Sequence, residues 1–203
     1  LLVSLAVLGL IAGLTVPSIV TSVQISQERN AAKEAYSALS AAIQQAYMEG
    51  TLASMSPAER SLTDPNSAYV KWFRSTFSGS YCENGDVAGK CSRIGWHAHY
   101  SNNAARVILS TGAVIASVDD RATWGGFDFT TQSFMIDGNG GQKGLPDKWE
   151  GTVASPPSHM TVTCNLSDQT VSFWGQPYLI PPGTCKPFHA NHYHPMMAYL
   201  GYS

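Results

Sequence analysis

Charge is what this chain has least of. Its first 27 residues, Leu1 to Gln27, hold no charged side chain, and the first charge is Glu28. Over all 203 residues the charged fraction is 13%, roughly half of the usual 25%. Twelve Lys and Arg against fourteen Asp and Glu leave a net charge of −2. There is thus no basic surplus to drive binding along a phosphate backbone, and no specific nucleic-acid partner is indicated. Surfaces this poor in charge are common in proteins that assemble. Catalytic signatures are also missing. The chain has no Gly-x-Ser-x-Gly elbow, no Gly-x4-Gly-Lys-Ser/Thr loop and no dinucleotide fingerprint, so no enzyme, no catalytic residue and no organic cofactor is expected. The four cysteines include no Cys-x2-Cys knuckle, which argues against a structural zinc site.

What the opening stretch does have is apolar length. A run of roughly 20 residues at 1.5 Å per residue crosses a hydrocarbon core about 30 Å thick, so Leu1–Val20 is long enough to sit in a bilayer. No basic residue precedes the run, and no small-residue cleavage site or turn signal follows it. It is therefore expected to be the first part of one long helix. Gly9, Gly13 and Pro17 interrupt its apolar character, and Pro17 lacks the N–H that bonds the carbonyl four residues back, which predicts a kink or local loosening.

From Ala32 the apolar positions are Ala32, Ala35, Tyr36, Leu39, Ala42, Ile43, Ala46 and Tyr47, the three-and-four spacing of a single helical face. That face predicts packing on the protein's own core, with Gly50 as the stop. The first half is apolar on every side, so one domain face cannot account for it. It must lie in lipid, in a partner, or in both by turns.

Leu1–Pro17, LLVSLAVLGLIAGLTVP, resembles the start of mature type IV pilins and pseudopilins after their first five residues, of the form Phe-Thr-Leu-x-Glu. Gly9 and Pro17 then fall where that family often has its helix-loosening glycine and proline. The continuation KEAYSALSAAIQQAYMEGT is similar to bacterial pilin-like proteins of the prepilin cleavage and methylation type. The family's glutamate, which helps register a new subunit, is absent, and the resemblance implies that the chain as given starts late. It also implies an α+β class with the type IV pilin fold: residues 1–50 as a long N-terminal helix, 1–25 being its apolar half, and 51–203 as one head with a mostly antiparallel sheet. Leu1, Leu5, Leu8, Gly9, Ala12, Gly13 and Pro17 become the candidate assembly surface, the small residues permitting close helix approach. The implied partners are the inner membrane before assembly, the pilus assembly machinery, and further copies of the chain in an extracellular helical filament, with adhesion or motility among its uses. A pseudopilin of a type II secretion or DNA-uptake machine is the alternative within the family. A membrane-tethered binding protein or enzyme is the alternative outside it.

The head is legible in parts. Ala68–Phe77 carries Tyr69, Trp72, Phe73 and Phe77 at helical spacing, which reads as core or, alternatively, as an aromatic ligand platform. Arg106–Val118 reads as two strands around a Ser110-Thr111-Gly112 turn, and Thr131–Asp137, Met160–Asn165 and Thr170–Trp174 read as further strands. Helix first and strands afterwards predicts an α+β unit. An even number of cysteines, Cys82, Cys91, Cys164 and Cys185, suggests two disulfides in an oxidising compartment. Of the three connectivities, Cys82 with Cys91 and Cys164 with Cys185 closes the shorter loops.

Three local motifs carry chemistry. Asp137-Gly138-Asn139-Gly140-Gly141 opens like a calcium loop, but Lys148 stands where an EF-hand needs its bidentate glutamate. A looser calcium site using Asp137, Asn139, Asp147 and Glu150 is one reading, and a glycine-rich turn with self-bonded Asp and Asn is the other. Pilin-like proteins carry a related stretch with a following proline and aspartate, to which Pro146 and Asp147 correspond. His97 and His99, with His189, His192 and His194, form two groups that could bind a transition metal or pack at a subunit contact. Asn165-Leu166-Ser167 meets the N-glycosylation pattern, a match short enough to arise by chance.

Overall fold

The computed structural model describes residues 2–56, 58–62, 64–82, 105–118, 131–138, 159–172 and 179–188. Within its elements the side chains of residues 2–18, 21, 25, 118, 159–161, 172 and 188 lie outside that description.

One helix, α1 (Leu2–Met48), accounts for 47 residues, about 70 Å at 1.5 Å per residue. It runs without a break across Gly9, Gly13 and Pro17, where the sequence predicts loosening. A proline costs one backbone bond, and its fixed φ is itself helical, so neighbouring turns can carry the helix through. The second half buries Ala31, Ala32, Ala35, Leu39, Ala42, Ile43 and Ala46. At 100° per residue these seven fall within an arc of about 120°, one face of the helix. Gly50 ends α1 as the sequence predicts: with φ +67°, it donates its N–H to Tyr47 O while Thr51 N–H reaches Ala46 O. That is a Schellman closure of the orphaned carbonyls.

A short helix, α2 (Ala68–Thr76), starts at Ser67, whose hydroxyl accepts from Val70 N–H at 3.0 Å. It buries Tyr69, Val70 and Phe73. Phe73 stacks on Tyr69 and meets the Phe77 ring at 5.0 Å between centroids. The aromatic run is core. Tyr69 hydroxyl pairs with Ser117 Oγ at 2.6 Å, and Gln132 Nε2 donates to the same oxygen. Burial raises the Tyr69 phenol far above its usual range, so it stays protonated.

The strands are β1 (Gly79–Cys82), β2 (Arg106–Leu109), β3 (Val114–Val118), β4 (Thr131–Asp137), β5 (His159–Asn165), β6 (Val171–Ser172), β7 (Leu179–Ile180) and β8 (Cys185–Phe188). Six form an antiparallel sheet in the order β1-β2-β3-β4-β5-β8, and β6 pairs with β7. The β2–β3 hairpin turns at Gly112, φ +86°, where the sequence places it. Alternation sorts the sheet's two faces. Val107, Ile115, Phe134, Ile136, Val162 and Cys164 join α1 and α2 in the main core. Val114, Ala116 and Met135 form a smaller cluster on the opposite face. The protein is therefore α+β, with the second half of a long helix laid on an antiparallel sheet. Strand β6 is shorter than the predicted Thr170–Trp174, whose last two residues lie outside the described set, and β1, β7 and β8 are additions to the sequence reading.

Candidate functional site

The helix is exposed just before it reaches the sheet. Every described side chain between Ile19 and Gln27 is exposed, including Ile19 at 60%, Val20 at 48% and Val23 at 50%. Counting back at 100° per residue, these three branched apolar side chains centre roughly 130° round the helix from the face that docks on the sheet. Ile19 and Val23 lie well off that face, and Val20 falls about 20° beyond its edge at Ala31. Together they present apolar surface that the described residues of the head do not cover. Of the candidate assembly residues, Leu5, Leu8, Gly9, Ala12, Gly13 and Pro17 lie on α1 in the same run; their side chains, and Leu1, are outside the described set. Among the described residues no helix is long and apolar enough to cross a membrane.

Where α1 docks, two tyrosines tie it to one segment of the head. Tyr36 hydroxyl donates to the backbone carbonyl of Cys185 at 2.8 Å. Tyr47 lies against Gly183, where a Cβ would come within 2.6 Å of the ring. Gly183 has φ +64°, so glycine is needed there both for backbone conformation and for space. The Asp168 carboxylate lies beside the Tyr47 hydroxyl and raises its phenol pKa. The two tyrosines are eleven residues apart, about 16 Å and three turns, so they share one stripe along an edge of the docked face. The sequence pattern includes both in the buried face; the structure places them half-buried at its margin, with their hydroxyls used.

The segment they meet is closed by a disulfide between Cys164 and Cys185, on facing positions of β5 and β8. This is one of the two bridges expected from loop length. Cys82 is also disulfide-bonded, and Cys91 lies outside the described residues. Asn165 organises the loop from inside. Fully buried, it donates Nδ2 hydrogens to Gln169 O at 2.7 Å and Ile180 O at 2.8 Å. Its Oδ1 accepts from Ser167 N–H and from Ser167 Oγ, at 2.9 and 2.8 Å. Its backbone N–H reaches Thr184 O and its carbonyl accepts from Gly183 N–H. A carboxamide so enclosed has no hydrogen left to give, so the glycosylation pattern at Asn165 is inaccessible in the folded chain. The Asx turn at Ser167 is the role the residue does serve.

Of the calcium candidates, Asp137 is buried at the end of β4, in register with Val114 and His159, while Asn139, Asp147 and Glu150 lie outside the described residues. Gly138 has a packing reason of its own. A Cβ there would come within 2.6 Å of Glu28 O and 3.1 Å of Ala32 Cβ, so the strand end passes directly against α1. That close approach is what the glycine after Asp137 permits. Among the described residues no cluster of His, Cys, Asp and Glu could hold a metal ion. His97, His99, His189, His192 and His194 are outside the described set.

No family model matches the chain, and no curated protein or solved structure matches it.

Proposed function

We propose that this chain is a structural subunit of an extracellular bacterial filament of the type IV pilus kind, assembled through the apolar first half of α1. The observation that carries the reading is the division of that helix. Its second half is committed to the protein's own sheet through a face centred on Ala35, Leu39 and Ile43. Ahead of it, Ile19, Val20 and Val23 stand exposed, continuing an uncharged run back to Leu1. Burial of a whole Val or Ile side chain contributes roughly 1.5–3 kcal/mol, so half-exposed residues gain about 1 kcal/mol each when a neighbouring helix covers them. The uncharged composition of the run from Leu1 adds in the same direction, favouring lipid before assembly and a bundle of like helices afterwards over exposure to water.

Gly9, Ala12 and Gly13 are the small residues that let helices approach closely. The pilin-like resemblance of residues 1–50 and the α+β head support the same assignment. A tether alone would also be apolar, but it gives no reason for the spacing of Gly9 and Pro17. The test is Leu8→Asp or Leu10→Asp. A desolvated carboxylate in a helix bundle is costly enough to prevent packing, so filaments should disappear while the chain is still made. Abundant normal filaments from either variant overturn the proposal. If the wild-type chain is the main protein of long surface filaments, the pilin role holds; if it appears only in short assemblies tied to secretion or DNA uptake, the pseudopilin role replaces it.

A further inference from the structure

Helix α1 holds the sheet with little grease. Five of the seven buried side chains among its described residues are alanine, and only Leu39 and Ile43 of these are large. Alanine buries little area, so polar ties at the margin count for more than they would beside a leucine-rich seam. Tyr36 to Cys185 O, and Tyr47 to Gly183 and Asp168, both end on the disulfide-closed loop. That loop in turn hangs on a weak strand. Strand β8 has four residues, stands at the end of the six-strand order and contains Pro187, which has no N–H to give the ladder.

We propose that the loop closed by Cys164–Cys185 is a redox-dependent latch on α1: oxidised, it fixes the docked half of the helix to the sheet; reduced, it lets β8 and the helix margin open together. The disulfide joins β8 covalently to β5, and the Tyr36 acceptor is the carbonyl of the bridged Cys185 itself. Reduction requires a dithiol. One thiolate attacks a cystine sulfur and expels the other as thiolate; the second dithiol sulfur then displaces the mixed disulfide. The dithiol leaves oxidised to a disulfide, and Cys164 and Cys185 end as two thiols carrying its two protons. Both sulfurs belong to buried residues, so the reagent must meet an opened β8. The coupling is reciprocal: whatever loosens the tyrosine ties must expose the disulfide to the same degree. This inference rests on the contacts of the docked half alone and stands apart from the filament reading.

The test uses the full chain in detergent micelles. In Cys164→Ala/Cys185→Ala, which leaves the Cys82 disulfide in place, backbone hydrogen exchange over 36–47 should accelerate about tenfold more than exchange over α2, which reads the general loss of stability; the tenfold excess is the scale of one lost hydrogen bond with its cooperating contacts. In Tyr36→Phe/Tyr47→Phe, with the cysteines intact, dithiothreitol should reduce Cys164–Cys185 about tenfold faster than in wild type, because attack goes through the opened β8 and the rate follows the population of that open form. The latch is overturned if exchange over 36–47 is unchanged in the cysteine variant, if α2 accelerates equally, or if the tyrosine variant is reduced no faster than wild type. Should the cysteine variant fail to fold, the reduction rate of the tyrosine variant decides alone.

Discussion

Asn165 is the residue whose replacement should reveal most about the head. Its side chain makes four hydrogen bonds inside the disulfide loop, two given and two received. Asn165→Ala removes all four and strands Ile180 O in a buried position. A satisfied hydrogen bond contributes about 0.5–1.5 kcal/mol net, and an orphaned buried group costs about 1–3 kcal/mol. Two of the four partners, Gln169 O and Ser167 Oγ, are near solvent and can be rehydrated, so the loss should be about 3 kcal/mol. For a chain of this size that corresponds to roughly 6–12 °C in Tm.

Asn165→Asp is the sharper variant because it is nearly isosteric and yet should be worse. It keeps the acceptors for Ser167 but points a carboxylate oxygen at the carbonyls of Gln169 and Ile180. Repulsion and burial raise that carboxyl's folded pKa above its unfolded value, so the stability it retains is present in acid and lost as pH rises through the folded pKa. The assay is guanidinium unfolding of the oxidised chain in mild detergent, at pH 4 to 8. The reasoning fails if Asn165→Ala costs less than about 0.5 kcal/mol, or if Asn165→Asp is the more stable of the two at neutral pH.

Four further outcomes are expected. Leu39→Ala, at a fully buried position on α1, should cost about 2–5 kcal/mol in the same unfolding assay. Gly138→Ala should cost about 1–3 kcal/mol, because its Cβ meets the Glu28 carbonyl and either α1 or the end of β4 must shift; a calorimetric scan measures this. Removing the Cys164–Cys185 bridge, whose cysteines are 21 residues apart, should lower stability by about 3 kcal/mol if the unfolded chain gains the loop entropy. Glu59 accepts from Ser56 Oγ and Ser56 N–H, which holds its carboxyl below the ordinary 4.5. Its contribution is thus present above that value and lost as pH falls through the folded pKa, and Glu59→Gln should flatten this acid limb in a pH-resolved melting series.

Much of the frame is written in periodicity. The 3.6-residue repeat from Ala32 to Ala46 marks the buried face, Ser110-Thr111-Gly112 marks the hairpin, and Thr131–Asp137 is readable to its ends because a run bounded by turn residues has few alternatives. Strands β7 and β8 are illegible for a physical reason. Each is too short to alternate visibly, and Pro187 argues against a strand until the disulfide and an edge position are known. At Pro17 the helix assignment continues unbroken, since a proline removes one backbone bond and leaves the turns around it in place. At the site, the apolar run is evident from composition, but the angle between its exposed stripe and the docked face depends on where the sheet lies. Asn165 looks like a glycosylation acceptor because that motif is only three residues long, while its side-chain partner Ile180 O is fifteen residues away. The close approach of Gly138 to Glu28 O is likewise invisible to any local motif, since it joins the end of β4 to α1.

The central claim is that the first half of α1 packs against copies of itself. Cryo-electron microscopy of the native assembly tests it most directly. The account predicts a filament whose axis is a bundle of helices, with Ile19, Val20 and Val23 of each chain against a neighbouring helix and the sheet-bearing heads outside. Single helices each surrounded by lipid, with heads that make no repeating contact, would contradict it.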